Sequence, residues 1–322
     1  MSRWIVFIII KENSTMKYHF LTVLFILLFT KGFSQDAEKI TYSDTKNYYY
    51  RVVPEGKPEG MIIVLPGGGE TAERVMSQIF LEELAFEKNI LVLFTNWEDD
   101  GDFFYHADQK FLDRIAKDNV EKFNIPKNKI SIGGLSGGGM LAITYAERAV
   151  RDKNTYFVPS SIFAIDTPLD YENMYYRLER DIARNFSEAA VNEAKMFNKE
   201  LVAAIGTPDK NRDKYLKQSM FTYRDKDGGN AKYLMNIPIL MYTEPGIMWQ
   251  MENRGRDLYD LNCTDITAMM NLLKLKGHKN ADLIITNDRG IRPEGFRHPH
   301  SWSIMDPEEC LNWIVKHFNS AK

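Results

Sequence analysis

Cysteine is nearly absent from this 322-residue chain: Cys263 and Cys310 stand far apart and outside any metal-ligand spacing, which excludes a cysteine-built metal centre and allows one disulfide at most. An excess of one charge is lacking too. Forty-one Lys and Arg face 44 Asp and Glu, a formal net charge of -3, so there is no basic stripe to neutralise phosphates, and nucleic acid is not an expected partner. Repeats and low-complexity tracts are missing. What remains, 44% hydrophobic and 26% charged at this length, suits one large α/β domain with room for a small inserted subdomain.

The one polar-poor terminus reads as a targeting segment. Met16-Lys17-Tyr18-His19 precedes an apolar run over residues 20–29, and small residues Gly32 and Ser34 follow. A basic start, a short apolar stretch and small residues at the cut form a secretory signal, with cleavage expected after Ser34 and export to the periplasm or medium. Uncut, the same run is a membrane anchor. A second apolar run over residues 4–10 raises the alternative that translation starts at Met16. The expected division is therefore a signal over residues 1–34 and one domain over 35–322.

Within that domain, the apolar run at residues 129–132 ends in Gly133-Gly134-Leu135-Ser136-Gly137-Gly138-Gly139 and opens into a helical pattern at Met140, Leu141, Thr144 and Tyr145. Gly134-Leu135-Ser136-Gly137-Gly138 fits Gly-x-Ser-x-Gly, a strand-to-helix turn that exposes a serine hydroxyl. It also aims backbone N–H groups at whatever the serine attacks. Ser136 is the candidate nucleophile. A phosphate-binding turn is the competing reading of the glycines alone.

Around this turn, continuous apolar runs at residues 61–65, 90–95, 160–166, 237–243 and 281–286 read as buried strands, and a tyrosine-rich hairpin precedes them at residues 39–53. Helical spacing at Val75, Ile79, Leu84 and Phe86, at Phe111, Leu112 and Ile115, and over 265–276 and 307–318 fills the gaps. Alternating strands and helices imply a mostly parallel sheet with helices on both faces. The alternation breaks at about residues 171–234, a charged helical stretch expected to lie as a lid over the carboxyl edge of the sheet, where ligands of such sheets bind. Trp97, Phe103, Phe104, Tyr105 and Trp249 are candidates for a pocket wall.

A serine hydroxyl needs a base. Of six histidines, only His298 and His300 sit in the loop directly after the last strand, where the sheet edge brings them toward Ser136. Three motifs in order, the turn around Ser136, Leu65-Pro66-Gly67-Gly68-Gly69, and His300-Ser301-Trp302, make the chain resemble the α/β-hydrolase family from about Tyr48 to its end. The resemblance implies an α/β-hydrolase fold, an oxyanion hole from Gly67, Gly68 and Gly137, and His300 rather than His298 as base. It also implies an acid after the penultimate strand, where Glu244 is the nearest carboxylate; Asp166 is the second choice, with Asp257 and Asp260 behind it. Pro66 departs from the histidine often found in the glycine loop. The implied activity is hydrolysis of a small or medium carboxylic ester through an acyl-enzyme, with no cofactor and no metal. A peptidase of the prolyl-oligopeptidase kind and a non-catalytic binding protein on the same scaffold are the alternatives, and the oligomeric state is not legible.

Overall fold

The computed structural model describes residues 37–97 and 106–320. The expected signal segment and Phe103, Phe104 and Tyr105 lie outside them. The fold begins with a hairpin of β1 (Glu38–Tyr42) and β2 (Thr45–Val52), joined by the tight turn at Ser43-Asp44. Next come β3 (Gly60–Leu65), the helices α1 (Ala72–Ile79) and α2 (Leu81–Glu87), and β4 (Ile90–Asn96). Helix α3 (His106–Phe123), β5 (Ile130–Leu135), α4 (Gly137–Arg151) and β6 (Ser161–Ile165) follow.

The eight-stranded sheet has the order β1-β2-β4-β3-β5-β6-β7-β8, where β7 is Ile239–Thr243 and β8 is Ala281–Ile285. Strands β3 to β8 pair in parallel, and β2 runs antiparallel to β4. Every residue of β3, β4, β5, β6 and β7 is buried, which is why these strands are continuous apolar runs. Alternation along them feeds two cores. Ile63, Leu65 and Leu93 join Leu112, Ile143 and Met269 on one face; Ile62, Val64 and Phe94 join Val75, Leu311 and Ile314 of the closing helix α10 (Pro307–Ser320) on the other. Each fully buried aliphatic side chain contributes about 1.5–3 kcal/mol to keeping the layers together.

Two helices stand where a single one was expected after β3. Phe80, at φ 49, turns the chain left-handed between α1 and α2, while Thr71 caps α1 by accepting from Arg74 N at 3.3 Å. Between β6 and β7 lie α5 (Tyr171–Arg184), α6 (Glu188–Ile205) and α7 (Pro208–Gln218), started by Asp170, by Ser187 and by the first-turn Pro208. Met174, Leu178, Ala194, Leu201 and Tyr215 of these helices belong to the same apolar cluster as Ile63, so the segment is packed into the domain. Another helix, α8 (Ile247–Arg254), was not expected in its polar, aromatic stretch; only Gln250 in it is buried, so it carries no apolar stripe to reveal it. Helix α9 (Asn262–Leu275) returns the chain to β8.

The elbow is held by contact between backbones. A Cβ on Gly134 or Gly138 would collide with the carbonyl oxygen of Leu65, whereas one on Gly68 would meet nothing within 4 Å. Gly134→Ala is therefore expected to lower the unfolding free energy in urea by about 1–3 kcal/mol. Gly68→Ala should leave it within about 0.5 kcal/mol, and equal effects of the two would remove the argument.

Candidate active site

Ser136 sits between the end of β5 and the first turn of α4 with φ 54 and ψ -117, a conformation that L-residues other than glycine rarely hold. Its backbone is fixed on both sides: Ser136 N donates to Ile165 O at 2.9 Å, and Met140 N donates to Ser136 O at 3.0 Å. The strain is carried at a half-buried residue facing a cavity of about 1200 Å³.

His300, from the loop after β8, lines the same cavity. Its Nδ1 lies 2.6 Å from Asp166 Oδ2, and because a carboxylate only accepts, Nδ1 carries a proton and Nε2 is the acceptor of the neutral ring. Asp166 caps β6 with φ 41, is 8% exposed, and receives a second hydrogen bond on Oδ1 from Thr243 Oγ1 at 2.8 Å. The carboxylate that meets His300 is thus Asp166, the second choice on sequence.

Glu244, the first choice, is engaged elsewhere. Its Oε2 accepts from Thr286 Oγ1 at 2.9 Å, from Arg289 N at 2.9 Å and from Gly290 N at 3.2 Å, and the carboxylate pairs with Arg297. All four partners belong to the end of β8 and the loop that follows, so Glu244 anchors the segment carrying His300 without touching the imidazole. Asp257 and Asp260 are also committed, forming a capping box on the 3-10 turn Leu258–Asp260 and pairing with Arg184; Arg180 also bonds Asp260 at 2.7 Å.

His298 shares the cavity but is tied up. Arg254, which only donates, reaches its Nε2 at 3.2 Å, and its Nδ1 lies 3.1 Å from the His300 carbonyl and 3.2 Å from His300 N. Burial, with Arg292, His300 and Arg254 nearby, pulls its pKa down to about 3, and the neutral ring packs against Trp249 at 4.8 Å. Both cysteines are free and buried; Cys263 lines the cavity, where burial pushes its thiol up to about 12.

In the glycine loop the expectation for Gly67 changes. Gly67 N donates to Glu70 Oε2 at 3.0 Å, so this N–H is already satisfied. Gly68 and Gly137 also line the cavity, and their N–H groups have no acceptor among the described residues. Glu70, which sequence reading passed over, is the fixed point of the loop: besides Gly67 it accepts from Trp302 Nε1 at 2.9 Å and from Gln78 Nε2 at 3.2 Å. A carboxylate directly after three glycines was the available signal.

The rest of the cavity has an apolar side of Met140, Leu141, Met174, Leu178 and Phe197 and a charged side built on Arg256, which donates to Asp181 Oδ2 at 2.8 Å and Glu193 Oε2 at 3.1 Å. Trp97 and Trp249 both line it. Among the described residues no cluster of three or more His, Cys, Asp or Glu is placed to hold a metal ion.

Solved structures share this fold. The virulence factor BioJ of Francisella superposes with a TM-score of 0.55 at 14% identity, over 94% of this chain and 90% of its own. An esterase/lipase from an uncultured bacterium superposes at 0.53 and 16% identity, over 88% and 85%. The fold is that of the α/β-hydrolases. An acylaminoacyl peptidase of Pyrococcus horikoshii shares this hydrolase fold at 0.52 and 14% identity, over 92% of this chain and 42% of its own, so the fold does not select a substrate. No protein-family model and no curated protein matches the chain.

The backbone at Ser136 yields a stability test. Glycine holds φ 54, ψ -117 without strain, so Ser136→Gly is expected to be more stable than Ser136→Ala by about 1 kcal/mol in chemical denaturation. The reverse order would show that the elbow is not strained.

Proposed function

We propose that this chain is a serine hydrolase that cleaves a carboxylic ester by way of an acyl-enzyme, acting after export. The observation that carries the reading is the His300–Asp166 hydrogen bond, which directs the Nδ1 proton to Asp166 and so reserves Nε2 of the neutral ring for proton transfer in the cavity that also receives the strained Ser136. His300 takes the Ser136 proton as the hydroxyl attacks the ester carbonyl, and Asp166 holds the imidazolium that forms. The oxyanion is received by the N–H groups of Gly68 and Gly137, Gly137 opening α4. His300 then protonates the leaving alcohol, and water attacks the acyl-enzyme by the same route. The apolar wall from Met140 to Phe197 suits the acyl portion, and the charged wall around Arg256 the alcohol portion.

The test is labelling of the purified protein with a fluorophosphonate probe, together with kinetics on p-nitrophenyl acetate. Ser136→Ala and His300→Ala are expected to abolish labelling and to lower kcat by about 10³-fold or more. Asp166→Asn should lower kcat by about 10²–10⁴-fold, whereas Glu244→Gln should act chiefly on the melting temperature. A larger kcat loss for Glu244→Gln than for Asp166→Asn would return the acid to Glu244. Absence of wild-type labelling would sink the hydrolase reading, and faster cleavage of peptide than of ester panels would turn it toward a peptidase.

Glu70 sets the loop that presents Gly68. Glu70→Ala should lower kcat by about 10–100-fold with little change in KM. Glu70→Gln, whose amide oxygen can still accept from Gly67 and Trp302, should recover most of it. Failure of glutamine to rescue would mean that the charge beside Arg292, 4.0 Å away, is what matters.

A further inference from the structure

Helix α5 has a second cavity beside it. Met174, Arg177, Leu178 and Asp181 form the stripe that walls the Ser136 cavity, while the adjoining stripe of Asn173, Tyr176 and Arg180 walls a separate cleft of about 880 Å³. The two cavities share no lining residue, and the proposed chemistry uses nothing in the second.

Three exposed tyrosines surround this cleft. Tyr223 is 55% exposed, yet its hydroxyl donates to Thr264 O at 2.6 Å and its ring meets Phe221 edge-on at 5.0 Å, so an open aromatic face is held still. Tyr176 leans edge-on against Tyr175 at 5.4 Å. Tyr259, 77% exposed, rides on the 3-10 turn that Arg180 holds through the Tyr259 carbonyl at 3.3 Å. The rings of Tyr223 and Tyr176, so held, give large contact area for little loss of conformational freedom on binding, and Tyr259 adds an open ring on a fixed backbone.

Charge narrows the ligand. Arg180 is paired with Asp260 at 2.7 Å, Arg224 lies 3.4 Å from Glu172, and Asp170 is spent on capping α5, so the lining neutralises itself and makes no ion site. Asn271 makes no side-chain hydrogen bond among the described residues and supplies an open donor and acceptor. Aromatic faces set among amide, hydroxyl and self-paired charged groups match a neutral ring with one apolar face and a rim of hydroxyls.

We propose that this cleft binds a saccharide chain, its sugar rings stacked on Tyr176, Tyr223 and Tyr259 and its hydroxyls bonded to Asn271. The site is independent of the acyl-transfer reading and lies one helix away from Ser136, which suits a polymer that is held at one place and acted on at another.

The test is calorimetric titration of the full chain with unesterified cellohexaose, xylohexaose and mannohexaose. At least one is expected to bind, and Tyr259→Ala and Tyr176→Ala should each weaken it about tenfold while p-nitrophenyl acetate hydrolysis stays at the wild-type rate. Tyr259 makes no side-chain hydrogen bond among the described residues, so its variant keeps the fold, checked by an unchanged melting temperature. Binding of none of the three, or binding that survives both substitutions together, overturns the proposal. Because ester hydrolysis is scored separately, failure of the cleft and failure of the hydrolase reading give different results.

Discussion

The carbonyl oxygen of Leu65 rests against Gly134 and Gly138 so closely that neither can carry a side chain. This backbone-to-backbone contact joins the end of β3 to the turn between β5 and α4, and so sets the glycine loop and Ser136 at one height above the sheet. Close packing of this kind transmits position without slack, since the groups involved have no rotamers to change. The left-handed strain at Ser136 persists because the surrounding bonds to Ile165 and Met140 leave it nowhere to relax.

Three buried carboxylates extend that fixed frame to the irregular loop after β8. Glu70, Asp166 and Glu244 follow β3, β6 and β7, and each reaches into residues 286–302: Glu70 to Trp302, Asp166 to His300, Glu244 to Thr286, Arg289, Gly290 and Arg297. A buried carboxylate is costly unless several donors satisfy it, and here each has at least two. The loop has almost no regular structure of its own, so these bonds substitute for the ladder it lacks.

Much of this was legible in the sequence. Continuous apolar runs announced the central strands, because a strand buried on both faces has no polar side to disguise it. Gly-x-Ser-x-Gly announced the elbow, the loop after the last strand narrowed the imidazole to His298 and His300, and the resemblance of His300-Ser301-Trp302 to the family's ending favoured His300. The acid was harder. Glu244 and Asp166 both follow strands at the same sheet edge, and only the path of the later loop, invisible in local pattern, decides that one meets the imidazole and the other meets Thr286 and Arg289. Gly67 was misjudged for a related reason: its N–H depends on the rotamer of Glu70, which no spacing rule reports. Helix α8 escaped because its exposed faces leave no apolar period.

The contacts that position His300 span long stretches of chain: 134 residues separate it from Asp166, and 232 separate Trp302 from Glu70. Contacts of this reach form late, since closing large loops must precede any reward from them. A chain emerging from the ribosome exposes Ser136 long before His300 has been added, and even a complete chain lacks the imidazole beside Asp166 until the β8 edge has docked. Ser136 and His300 are therefore separated in time during synthesis, so that a half-made or half-folded chain carries the serine without the imidazole that shares its cavity in the finished fold.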